Sequence, residues 1–232
     1  MRYQSQMIAA GSGSVGGCTY SRNRSGQYIR RRAMPVNPGS AFSQIMTGAL
    51  ASLVTAWTST LAQSERDLWD TWAFNTQQTK FGQTYFMTGQ NAFIAMNSPR
   101  VQAGLAILTV APAVYSGASL SPPVVTIADE SAQTFTFTFN NADAWANSAS
   151  GSLFIFASRP QNASRQFFKG PYRFVERLAG ATPTPPTSPH VTTGINTPFP
   201  FALGQKMFLQ FRAQDADGRI STPYRDGIVA VA

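Results

Sequence analysis

One cysteine, Cys18, and one histidine, His190, are all the sequence offers of either residue. A lone thiol closes no intrachain disulfide, so oxidation does not hold this fold together. Cys18 stands in a glycine-rich stretch, where it reads as a small filler residue, and His190 follows a proline-rich loop with no cysteine at a useful spacing. Charge is scarce: 12% of residues are charged, against roughly 25% in ordinary domains. Lysine occurs only at Lys80, Lys169 and Lys206, so there is no lysine-rich run, and no acid precedes Glu65. No apolar run is long enough for a membrane-spanning helix. The first residues show neither a continuous apolar stretch nor a cleavage site, so a secretory leader is not expected. The glycosylation sequons at Asn23 and Asn162 matter only in a secretory pathway.

Catalytic frames are also lacking. The run Gly11-Ser-Gly13-Ser-Val-Gly16-Gly17 has neither the Lys-Ser/Thr nor the preceding strand of a phosphate loop. No nucleophile elbow has a credible context, and no paired carboxylates stand in a recognisable frame. The chain is therefore read as non-enzymatic, with no cofactor and no metal.

What is present begins with arginine. The first 40 residues hold Arg2, Arg22, Arg24, Arg30, Arg31 and Arg32 among glycines and serines. Such a segment buries too little surface to fold alone and calls for an acidic partner or a neighbouring subunit. The net charge is +8, which favours nucleic acid, anionic lipid or an acidic protein neighbour. Tyr20 and Tyr28 flank the arginines and can stack on bases; glycine and serine spacing fits an arm that laces subunits better. The low charge fraction, with 43% hydrophobic residues, suits burial against other subunits. Candidate partner-binding residues are Arg22, Arg24, Tyr28, Arg30, Arg31 and Arg32.

With 232 residues the chain has room for a real core. The reading is α+β: an extended basic arm over residues 1–37, a small α-helical region over 38–104, a linker over 105–121, and an antiparallel β-sandwich over 122–232. Pro35 and Pro38 end the arm, and Ser40 caps a helix over residues 40–62. Phe42, Ile45, Met46, Ala49, Leu50, Leu53, Val54 and Trp57 form its single buried face. Ser64 opens a second helix, with Glu65 and Asp67 in its first turn. Residues 76–87 read as a loop. A third helix runs from Thr88 to about residue 103, with Pro99 as a kink or stop. Trp57, Trp69 and Trp72 read as packing between antiparallel helices rather than an aromatic cage. Glu65, Asp67 and Asp70 do not share one helix face and fit dipole complement better than a metal site.

After Pro122 and Pro123 come seven short strand candidates: Val124–Ile127, Gln133–Asn140, Leu153–Ser158, Tyr172–Leu178, Val191–Ile195, Lys206–Gln214 and Ile228–Val231. Asp215-Ala-Asp217-Gly218 fits a hairpin turn better than a calcium loop, because no bidentate Glu follows.

The stretch Met207-Phe-Leu-Gln-Phe-Arg-Ala-Gln-Asp-Ala-Asp-Gly218-Arg-Ile-Ser221-Thr-Pro223 resembles the penultimate strand and turn of fibronectin type III or immunoglobulin-like domains. The resemblance covers about residues 120–232 and implies a fold, not a role. Residues 11–104 are similar to uncharacterised proteins encoded among bacteriophage structural genes. That likeness rests on Ser21-Arg-Asn-Arg24-Ser-Gly26-Gln-Tyr28-Ile-Arg30-Arg-Arg32, Pro35-Val-Asn37-Pro38, Trp57, Ser64-Glu-Arg66-Asp-Leu-Trp69 and Thr88-Gly89-Gln90-Asn91-Ala-Phe93. It implies a virion structural protein, capsid-associated as a cement or decoration protein, assembled in the host cytoplasm. The implied partners are further copies of the chain and a major capsid protein. A tail or neck component and a nucleic-acid-binding protein are the alternatives.

Overall fold

The computed structural model describes residues 12–23, 26–34, 39–80, 83–193 and 198–232. The chain divides into two compact units, Met1–Gln44 and Ile45–Ala232. It is α+β, with three helices and several antiparallel sheets.

The first unit is not a single extended arm. Strands β1 (Gly13–Val15), β2 (Cys18–Asn23) and β3 (Gly26–Arg31) form an antiparallel meander. Gly16 takes φ +56° in the tight β1–β2 turn, a conformation glycine adopts without penalty. No side chain described between residues 12 and 34 is buried. Backbone pairing orders this stretch without a core of its own.

Helix α1 (Ala41–Thr55) follows Ser40, whose Oγ accepts the Ser43 N–H at 3.3 Å. It runs into a π-helical turn, Ala56–Thr60, ended by extended Leu61. The expected single buried face is only partly covered. Ala49, Leu53 and Ala56 are buried, whereas Ile45 is 60% and Leu50 50% exposed. Among the described residues the helical core takes Leu53, Ala56, Trp57 and Leu61 from this stretch.

Helix α2 (Gln63–Asn75) begins one residue before Ser64. Ala62 is the residue that needs capping, and the Glu65 carboxylate accepts its N–H at 2.9 Å. A small hairpin, β4 (Gln78–Lys80) and β5 (Gln83–Tyr85), replaces the expected loop. Helix α3 (Gly89–Gln102) starts at Thr88, whose hydroxyl accepts the Asn91 N–H at 3.3 Å. Pro99 sits inside it, close to its end.

Residues 105–121 are not a free linker. The Trp69 indole donates to the Thr109 carbonyl at 2.7 Å and the Trp72 indole to the Val114 carbonyl at 3.0 Å. Asn97 donates to the Leu108 carbonyl and accepts its N–H. Beyond lie β6 (Val124–Asp129), β7 (Thr134–Thr138), β8 (Ser152–Ala157), β9 (Arg173–Ala179), β10 (His190–Val191), β11 (Lys206–Gln214) and β12 (Tyr224–Val229). They form two antiparallel sheets, ordered β10-β7-β6 and β12-β11-β8-β9. β12 begins four residues before the expected start at Ile228, because Tyr224 already pairs with Phe211. The candidate strand ending at Ile195 lies partly outside the described residues.

Both sheets feed one apolar cluster, with Phe135, Phe137, Leu153, Ile155, Leu209 and Phe211 wholly buried. The rings of Phe137 and Phe211 lie 5.0 Å apart. Trp145, between β7 and β8, is wholly buried in the same cluster. β11 is covered on both faces: Met207, Leu209, Phe211 and Ala213 enter this cluster, while Gln214 on its other face receives the Arg100 guanidinium from α3 at 2.9 Å.

Candidate functional site

Register fixes which residues share a face of the N-terminal sheet. Thr19 pairs with Arg30 and Ser21 with Tyr28, so Tyr28 and Arg30 stand on one face with Ser14 and Thr19. The Ser14 and Thr19 hydroxyls are 2.8 Å apart on that face. Cys18 pairs with Arg31 on the opposite face, together with Tyr20 and Ile29. Arg30, Arg31 and Arg32 are exposed and Tyr28 half-buried. Arg22 pairs with Gln27 in the ladder; Arg24 lies outside the described residues. Cys18 is exposed and free. The arginines are thus split between two faces, and no carboxylate occurs in the unit to neutralise them.

The tryptophans occupy the helical core. Trp69 is wholly buried and Trp72 nearly so, with Trp57 half-buried beside them. Phe93 joins them: its ring meets Trp69 edge-on at 5.5 Å and Trp57 at 5.6 Å. The nearby acids have separate tasks. Glu65 caps α2, Asp67 accepts from Gln63 at 2.7 Å, and Asp70 accepts the Gly89 N–H at 2.9 Å at the start of α3. The Asp215–Gly218 stretch closes a turn, with the Gly218 N–H on the Asp215 carbonyl at 3.0 Å. Arg219 bridges Asp215 at 3.1 Å and Asp217 at 2.7 Å. Among the described residues no three His, Cys, Asp or Glu side chains converge on a possible metal position, and no helix is long and apolar enough to cross a membrane.

The polar side of β11, with Gln214 buried and Arg212 half-buried, was missed by sequence reasoning. Gln214, wholly buried, takes the Arg100 guanidinium and donates to the carbonyls of Met96 and Gly218. Desolvation, and then the nearby Arg177 charge, lower the pKa of Arg100. Two residues earlier, Arg212 is desolvated enough to bring its pKa down to about 10. Its acceptor is the Ser221 carbonyl, 3.4 Å from both Nε and Nη2, which is long for a guanidinium bond. The alternation of Phe208, Gln210 and Arg212 against Met207, Leu209 and Phe211 was legible; what packs over the polar side was not.

These features define a mixed α+β chain with a basic N-terminal sheet that carries no carboxylate of its own, and a second unit holding a helical core and two sheets. No family model, curated protein or solved structure matches it.

Proposed function

We propose that the protein is a non-enzymatic structural component of a bacteriophage virion, capsid-associated as a cement or decoration protein. The observation that carries this reading is the N-terminal sheet. It has exposed arginines, no acid and no buried side chain among those described. Such a sheet gains most from burial against an acidic neighbouring subunit. The resemblance of residues 11–104 to phage structural proteins supports the same reading, and further copies of the chain or a major capsid protein are the partners it implies.

The C-terminal unit is proposed as an immunoglobulin-like sandwich of the fibronectin type III kind. The support is strand order: β6-β7-β10 in one sheet and β9-β8-β11-β12 in the other, with the chain changing sheets after β7, after β9 and after β10. Tyr28 and Arg30 on one sheet face favour a second reading, in which that face stacks on and neutralises nucleic acid.

Light scattering after size exclusion separates the two. The full chain and an R30S/R31S/R32S variant are run with and without DNA at two salt concentrations. A defined multimer that dissociates in the variant and ignores DNA supports assembly. A monomer that binds DNA only through the arginines, and releases it at high salt, refutes it.

A further inference from the structure

A cavity of about 540 Å³ lies where α2 and α3 meet the end of β11 and the β11–β12 connection. Trp72, Met96 and Tyr115 give it apolar and aromatic walls; Thr76, Arg212 and Thr222 add polar groups. Its size falls in the range of small-molecule sites, roughly 300–1,000 Å³.

Two features lack a matching partner among the described residues. Among the described residues Arg212 is the only charged one lining the cavity, and no carboxylate lines it. Its contacts are the two long ones to the Ser221 carbonyl. A desolvated guanidinium is stable when paired, and its planar fork matches a carboxylate or phosphate. Thr76, only 8% exposed, has a buried hydroxyl with no hydrogen-bond partner. Buried hydroxyls are nearly always satisfied, so an orphan beside a cavity is informative.

We propose that this cavity binds a small amphipathic anion, its apolar body against Trp72 and Tyr115 and its carboxylate or phosphate head on Arg212. The shape demands the apolar body; the guanidinium without a counter-charge demands the anion. This site is independent of the N-terminal sheet and stands whether or not the virion reading holds.

The test titrates the full chain with octanoate, octyl phosphate and 1-octanol by calorimetry, and follows the Trp72 indole N–H resonance to locate each ligand. At least one anion binds about tenfold or more tighter than octanol, as expected for a charge-assisted pair, and it shifts the Trp72 signal. Whichever of octanoate and octyl phosphate binds tighter identifies the head group. Arg212→Gln, checked for folding by circular dichroism, brings the anion down to the octanol level. The proposal is overturned by anions that bind no tighter than octanol, by binding that leaves Trp72 unmoved, or by a folded Arg212→Gln protein that keeps the preference. The wild-type series decides the matter even where the substitution prevents folding.

Discussion

At the scale of single residues, Glu176 on β9 accepts from His190 at 2.5 Å and from the Thr193 N–H at 2.9 Å. Burial pushes its carboxyl up, but these bonds outweigh burial and hold the pKa below its ordinary value of 4.5. A depressed carboxyl stabilises the fold above the ordinary value, and that stabilisation is lost as pH falls through the folded value. Urea midpoints of wild type and Glu176→Gln will therefore converge as pH drops below about 4.5; a gap that stays constant with pH refutes this role. Gly180 makes a second prediction. A Cβ there runs into the carbonyl oxygens of Trp145 and Ser148, so Gly180→Ala will cost about 2 kcal/mol or more by overpacking, read from thermal unfolding. Neither constraint was legible in the sequence. The partners of Glu176 lie 14 and 17 residues away, and the packing of Gly180 depends on where Trp145 lands. The separate duties of Glu65, Asp67 and Asp70 were legible only as a refusal to share one face.

At the scale of elements, periodicity served well where one face is buried and the other wet. β7 alternates buried phenylalanines with half-buried threonines, and the eye finds it at once. β12 hides because Asp226 and Gly227 interrupt an otherwise short apolar stretch. Its place is fixed by the ladder to β11, a contact that local pattern cannot contain. On α1 periodicity overreached: it shows which residues can be buried, while the number covered depends on what packs there. The helix starts were partly legible: Ser40 is the cap its place predicts, Thr88 marks the start of α3 without its capping role being legible, and Ser64 hides the Glu65 reach-back to Ala62. Thr88→Ala will destabilise the protein by about 1 kcal/mol. Trp69→Phe will cost more, since it removes the 2.7 Å bond to the part-buried Thr109 carbonyl and takes volume from a wholly buried site, a loss of about 1–3 kcal/mol. Denaturant unfolding of the two variants checks the order; a Trp69→Phe protein no weaker than Thr88→Ala refutes the role given to the Trp69–Thr109 bond.

At the scale of the whole molecule, charge is unevenly divided. Beyond residue 40 there are twelve basic and ten acidic residues, so six of the eight net positive charges belong to the first 40. That asymmetry was fully legible, because it needs only counting. That the basic stretch would pair with itself as a sheet was not, since three short strands without a buried face leave no periodic signal. Neutralising Arg30, Arg31 and Arg32 to serine will lower cation-exchange retention sharply while shifting the thermal midpoint little at concentrations low enough that both proteins are monomeric, because none of the three is buried. A large drop in the midpoint refutes the view that these side chains serve a partner and not the fold.

β11 is hydrogen-bonded on both sides, to β12 and to β8, and screened from above and below. Its amides reach solvent only when the surrounding sheet opens as a whole. Deuterium will enter Leu209 and Phe211 last of all, at a rate that reports global unfolding, while the exposed N-terminal strands take it up at once. That one strand is the molecule's internal clock for how often it comes apart.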